Sequence, residues 1–202
     1  MSIRVLIAED QAMVRGALSA LLSLEDDIEI VAEASRGDEV VPAAMDSLPD
    51  AALLDIEMPG GDGLSAAKEL RGKLPSCRVI ILTTFGRSGY LKRAMENGAS
   101  GFLLKDAPAS ELADAVRRVM IGERVVDPGF AASALSEGEN PLTDRERDVL
   151  SASANGATIE DIAGKLYLSE GTVRNYLSTA IKKLDSRNRV EASRLAEKKG
   201  WL

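Results

Sequence analysis

IRVLIAEDQ, residues 3–11, decides how the first half of the chain is read. Its first six residues, Ile3–Ala8, are apolar almost without interruption, as in a strand covered on both faces. The run then stops at two adjacent carboxylates, Glu9 and Asp10. Like charges at the tip of a buried element repel, so they call for solvent or a cation.

Four more short apolar runs follow: IEIVAEA (28–34), AALLD (51–55), RVIILTT (78–84) and GFLL (101–104). Between and after them lie helical patterns, ending in SELADAVRRVM, where Leu112, Val116, Val119 and Met120 recur at helical spacing. Five strands alternating with five helices predict an α/β domain with a doubly wound, five-stranded parallel sheet. Such sheets carry their sites beyond the carboxyl ends of the strands. Residues 122–140 lose the alternation, are rich in Gly, Ser and acid, and read as a linker. From there every segment looks helical, beginning with LTDRERDVL, where Thr143 and Glu146 stand at capping-box spacing. The expected domains are 1–121, a linker over 122–140, and a small all-α domain over 141–202.

Composition narrows the chemistry. With 45% hydrophobic and 28% charged residues among 202, the chain is ordinary globular material. There is no histidine, which excludes Ser-His-Asp and Cys-His catalysis and any imidazole-based zinc site. A metal here is expected to be a hard cation on oxygen, such as Mg²⁺. One cysteine, Cys77, allows no internal disulfide. The apolar runs are too short to span a membrane and the N-terminus reads straight into a strand, so a cytoplasmic protein with no membrane partner is expected. The net charge of −7 is uneven: residues 1–127 hold 14 basic against 21 acidic residues, whereas residues 162–202 hold 9 against 4. An acidic first part joined to a basic tail predicts two domains with different partners.

At the strand ends the acids gather. Strand 1 ends at Glu9 and Asp10, strand 3 at Asp55, strand 4 at Thr83 or Thr84, and strand 5 at Lys105. An acid after a strand is commonly a solvated turn residue. Agreement among four strand ends makes a shared site the stronger reading. Three carboxylates in one pocket call for a cation, and Mg²⁺ suits an all-oxygen set. Asp55 is placed to act as a carboxylate nucleophile toward a phosphoryl group, with Lys105 stabilising charge on the transferring oxygens. Phe102 faces the same side of its strand as Leu104.

In the tail, two helices near 158–166 and 170–184 are separated by a tight turn, with Ser169 as N-cap of the second. Val173, Leu177, Ile181 and Leu184 form its apolar stripe; Arg174, Asn175, Ser178 and Lys182 lie on the other side. About 15 residues give roughly 22 Å of helix, enough for a major groove. Arg and Asn can read guanine and adenine edges, while Lys182, Lys183, Arg187 and Arg189 can neutralise phosphates.

The motifs IAEDQ, LLDIEMPGGDG, ILTT and GFLLKD, in this order, resemble the receiver domain of bacterial response regulators, a flavodoxin-like fold. The resemblance implies Asp55 as phosphoacceptor and Mg²⁺ held by Asp10, Asp55 and the backbone carbonyl of Glu57, with Glu9 in an outer role. It implies Thr83 as the switch hydroxyl, Lys105 as the phosphoryl-binding lysine and Phe102 as an aromatic that changes rotamer. From Leu142 to about Leu195 the chain resembles the LuxR-type helix-turn-helix domain, which implies four helices, the third reading DNA. Thr172, Arg174, Asn175 and Ser178, with Lys182, Lys183 and Arg189, then become the DNA-binding set; Tyr176 stands where many members carry His. Together the two parts are similar to NarL/FixJ-type two-component regulators. That implies a sensor histidine kinase as phosphoryl donor, a homodimer formed through helices 1 and 5 on phosphorylation, and double-stranded DNA as partner. Membrane-lipid or desaturase genes are the expected targets, and no enzymatic activity is expected beyond self-catalysed phosphotransfer and dephosphorylation. Two other readings stand beside this one: a constitutive DNA binder with a vestigial pocket, and a haloacid-dehalogenase-like phosphatase. The latter family carries its Asp motif on the first strand, not the third.

Overall fold

A computed structural model describes residues 2–84, 86–127, 130–132, 140–154 and 156–202. The chain divides into two compact units, Met1–Gly86 with Leu91–Ala132, and Ser133–Leu202 with Arg87–Tyr90. Each is described by itself.

The first unit holds strands β1 (Ile3–Ala8), β2 (Ile28–Ala34), β3 (Ala51–Asp55), β4 (Arg78–Thr83), β5 (Gly101–Leu104) and β6 (Val125–Val126). Helices α1 (Ala12–Leu22), α2 (Gly37–Ser47), α3 (Gly63–Lys73), α4 (Ser88–Glu96, of which Leu91–Glu96 belong to this unit) and α5 (Ala109–Met120) connect them. All strand pairs are parallel, in the order β2-β1-β3-β4-β5-β6. The unbroken burial of β3 and the last four residues of β1 follows from their central place, with helices on both faces. Val5, Ile7, Leu53, Ile80 and Leu82 pack with Leu22, Val116 and Val119, which puts α1 and α5 on that face. Leu6, Leu54 and Ile81 alternate with them and are also fully enclosed; α2 and α3 pack on one another.

The sheet has six strands rather than the five expected. β6 lies inside the stretch read as linker and pairs with β5, Gly101 opposite Val125, with Val125 N–H donating to Ser100 O at 3.0 Å. A two-residue edge strand after Gly122 carries no alternation that a sequence pattern can register.

The second unit is helical: α6 (Asp144–Ser153), α7 (Ile159–Leu166), α8 (Glu170–Lys183) and α9 (Arg189–Lys198). Thr143 with Glu146 and Thr158 with Asp161 form full capping boxes, and Ser169 and Asn188 cap α8 and α9. Three residues join α7 to α8, starting at Tyr167 in a left-handed conformation (φ 55°). The core gathers Val149, Leu150, Ile162, Val173, Leu177, Ala180, Leu184 and Ala196. Ala180 takes a core place beside the expected stripe, while Ile181 is only partly covered.

Candidate functional site: an acidic pocket and an exposed helix face

Strand register brings the pocket together. Ala8 pairs with Leu54, so Glu9 runs level with Asp55; Asp55 pairs with Leu82, one residue before Thr83. Thr83 pairs with Leu104, and the Lys105 N–H donates to Thr83 O at 2.8 Å. Thr83 is buried whereas Thr84 is exposed.

Asp55 is 5% exposed and Glu9 1%. The Lys105 ammonium sits between them, 2.6 Å from Glu9 Oε2 and 3.0 Å from Asp55 Oδ2. Its approach to Glu9 Oε2 is a charge contact without good hydrogen-bond alignment. Asp55 Oδ1 accepts from the Ile56 N–H at 2.8 Å, and Glu9 Oε1 from the Gln11 N–H at 3.2 Å. Asp10 is exposed, and one oxygen from each of Glu9, Asp10 and Asp55 lies within 4.8 Å of the others. Burial holds the Asp55 carboxyl above its ordinary pKa; Lys105 opposes the shift and Glu9 adds to it. Burial works against the Lys105 ammonium, but the Glu9 and Asp55 carboxylates outweigh it and raise its pKa. Glu57 lies in the bend just past β3. Gly63, which opens α3 there, donates to Ile56 O at 3.0 Å, and a β-carbon on it would collide with the Asp55 carbonyl. That close approach explains the glycine, and Asp62 before it caps α3 through the Ser65 N–H.

Phe102 is fully buried, and its ring stacks on Phe130 at 5.2 Å between centroids and 14° between planes. A β-carbon on Gly86 would meet the Phe130 ring at 2.8 Å. Sequence reasoning missed Phe130, a lone aromatic in an irregular stretch.

In the second unit, Arg174, Asn175, Ser178 and Lys182 are exposed along α8. Arg174 pairs with Glu170 one turn earlier at 2.8 Å. Thr172 is half-buried, with its hydroxyl 2.8 Å from the capping Ser169 hydroxyl. Lys183 and Arg189, expected at phosphates, have partners inside the unit. Lys183 Nζ lies 2.7 Å from the buried Glu146 carboxylate, and Arg189 donates to Ala157 O at 3.0 Å. Tyr176 is half-buried.

Residues 5–117 match the response regulator receiver domain, and residues 140–196 match the bacterial regulatory proteins of the LuxR family. The chain is a response regulator. It is 48% identical over 200 residues to the transcriptional regulatory protein DesR of Bacillus subtilis (strain 168), covering 99% of both chains. It is also 48% identical over 200 residues to YvfU of the same strain, an uncharacterised transcriptional regulatory protein, covering 99% of this chain and 100% of that one. Among solved structures, ChrA, the response regulator of a heme-sensing two-component system, superposes with a TM-score of 0.58 at 36% identity, covering 100% of this chain and 99% of ChrA. This response regulator therefore joins a receiver domain to a LuxR-type DNA-binding domain and acts in two-component control of transcription. Among the described residues, no helix is long and apolar enough to cross a membrane.

Proposed function

We propose that Asp55 accepts a phosphoryl group from a sensor histidine kinase, and that the modified receiver pairs two DNA-binding domains on double-stranded DNA. The observation that carries this is the Lys105 ammonium held between Glu9 and Asp55, with Asp10 completing a cluster of oxygens at the same strand ends. The donor must be external, because the chain has no histidine.

All donors at the pocket are oxygens, which fits Mg²⁺. Asp10, Asp55 and the Glu57 carbonyl would hold the ion; Glu9 takes the outer place, since its own oxygens already face Lys105 and the Gln11 N–H. When bound, Mg²⁺ supplies positive charge for the phosphoryl oxygens. An Asp55 oxygen forms the new bond to phosphorus while the bond from phosphorus to the donor imidazole nitrogen breaks, and the imidazole keeps that electron pair. Lys105 follows the negative charge onto the phosphoryl oxygens, and the Thr83 hydroxyl is drawn toward them. Shifting a two-state equilibrium from 1:99 to 99:1 takes about 5.5 kcal/mol, within reach of several charge-assisted hydrogen bonds. Phe102 repacks as Thr83 moves.

For the homodimer, surfaces near 13–24 and 110–120 are the candidates. Met13 is 88% exposed and Leu24 79%, large apolar side chains left in water. Two α8 helices then reach half-sites about one or two DNA turns apart. The likeness to DesR and YvfU is equal, so the expectation of membrane-lipid or desaturase targets falls to the operator sequence.

The test is labelling with acetyl phosphate and Mg²⁺, read by intact mass. A single added phosphoryl group that disappears in Asp55→Asn is expected; labelling that persists in Asp55→Asn overturns the assignment.

A further inference from the structure

Glu9 reaches the pocket with hydrogen bonds at three of its polar atoms and a charge contact at the fourth, Oε2. Its N–H donates to Ala34 O at 3.0 Å at the end of β2. Its two carboxylate oxygens face the Gln11 N–H and Lys105. The remaining atom, the backbone carbonyl, accepts from Arg15 Nη1 at 2.6 Å. Arg15 lies in the second turn of α1 and is half-buried, and its Nε is 3.3 Å from Glu33 Oε2 on β2. The guanidinium is thus fixed at both ends, with one edge on the strand tip and the other on the neighbouring strand.

The carbonyl it holds belongs to the peptide between the two acids. A peptide unit is planar, so fixing the Glu9 C=O also fixes the bearing of the Asp10 N–H and Cα. No side chain caps α1: Gln11 makes no capping bond and the first turn holds no acid.

We infer that Arg15 is a positioning residue for the metal site, aiming Glu9 and Asp10 by clamping the peptide that joins them. This rests on the proposed reading of the pocket as a Mg²⁺ site. Groups that orient metal ligands through a hydrogen bond are typically worth about tenfold or more in metal affinity.

Charge makes the inference sharply testable, because electrostatics and positioning predict opposite signs. Arg15 is a cation beside an acidic pocket, so its removal by charge alone strengthens the binding of a divalent cation. Loss of positioning weakens it. The experiment is calorimetric titration of the full chain with MgCl₂ alone, on the parent, Arg15→Met, Arg15→Lys, Glu33→Gln and Asp10→Ala. Arg15→Met is expected to bind Mg²⁺ about tenfold more weakly. Arg15→Lys, which restores charge and one donor but not the two-edged fork, is expected to recover part of that. Glu33→Gln, at an exposed carboxylate that leaves the strand tip untouched, is expected to weaken binding in the same direction by less. Loss of its negative charge acts in the same direction, so Arg15→Lys, which keeps the cation, carries the test if Arg15→Met does not fold. Mg²⁺ affinity equal to or above the parent's in both Arg15→Met and Arg15→Lys overturns the inference. If Asp10→Ala binds Mg²⁺ as the parent does, the metal reading itself falls. If Asp10→Ala loses the ion and the Arg15 variants keep it, only the role of Arg15 falls.

Discussion

Replacing Lys105 with Met keeps the length and apolar stem of the side chain and removes its charge. The ammonium lies 2.6 Å and 3.0 Å from two carboxylate oxygens, and all three side chains are less than a tenth exposed. At an effective dielectric constant of about 20, each contact carries roughly 5–6 kcal/mol of gross attraction. Desolvation of three ions and repulsion between Glu9 and Asp55 cancel most of that. What decides the cost is the pair of buried acids left behind, and breaking a buried pair this way destabilises by about 3–5 kcal/mol. The loss has a pH signature. Without the ammonium, the folded-state pKa of Asp55 rises further above its unfolded value of about 4. An acid with a raised folded pKa costs nothing while protonated, below its unfolded pKa, and costs progressively more as pH rises toward its folded one. The parent's Lys105 has a raised pKa, so the ammonium itself is lost only in alkali, and toward acid its contribution fades because its carboxylate partners protonate. Lys105→Met is therefore expected to approach the parent's stability near pH 4 and to show its full deficit near neutrality. Urea unfolding of the receiver domain, followed by far-ultraviolet circular dichroism with a chelator present, measures this. The double variant with Asp55→Asn, which removes one of the stranded charges, is expected to regain part of the loss. A deficit below about 1 kcal/mol at neutral pH, or one that does not change with pH, refutes the reasoning.

Four further substitutions separate the roles of side chains in the two domains. Lys183→Met is expected to destabilise the DNA-binding domain by about 1–3 kcal/mol, because it strands the buried Glu146 carboxylate, and to leave the salt dependence of DNA binding unchanged. Denaturation of the domain and a salt titration of DNA affinity check the two halves. Arg174→Ala, on the exposed face of α8, is expected to lose about 1–3 kcal/mol of affinity for the operator and to relax specificity at one base position, whereas Lys182→Ala is expected to weaken all sequences alike and lower the salt slope by about one, both read by fluorescence anisotropy. Phe130→Ala, which removes the ring stacked on Phe102, is expected to cost about 3 kcal/mol and to speed amide exchange at Val125, whose N–H anchors β6.

Much of the receiver was legible because its signals are local. β1 and β3 announce themselves as unbroken apolar runs, and an acid or lysine directly after each run has only one edge of a parallel sheet on which to lie. Strand spacing alone left Thr83 and Thr84 open and the family resemblance pointed to Thr83; the pairing of Asp55 with Leu82 has Thr83 follow next along β4, and it is buried. Features that depend on distant partners stayed hidden. β6 is too short to carry a period, and Phe130 acquires meaning only when Phe102 and the space over Gly86 meet it. Arg15 reaches back to Glu9 across a strand-to-helix turn that spacing alone does not specify. Lys183 looked like one more base on a basic helix, yet Glu146, 37 residues earlier, claims it. Ala180 went uncounted in the α8 stripe because a small residue contributes little to an apolar pattern, although it is completely buried.

Phosphorylation of Asp55 is expected to change how the chain engages DNA, and DNA affinity measured at fixed salt reads that change. Duplexes retained by the phosphorylated protein from a fragment library supply the probe. Parent protein treated with acetyl phosphate and Mg²⁺ is expected to bind that duplex at least about tenfold more tightly than untreated protein, as a dimer-driven population shift requires. Asp55→Asn given the same treatment is expected to stay at the untreated level. Equal affinity of treated and untreated parent, or an equal gain in Asp55→Asn, rules out a switch at Asp55.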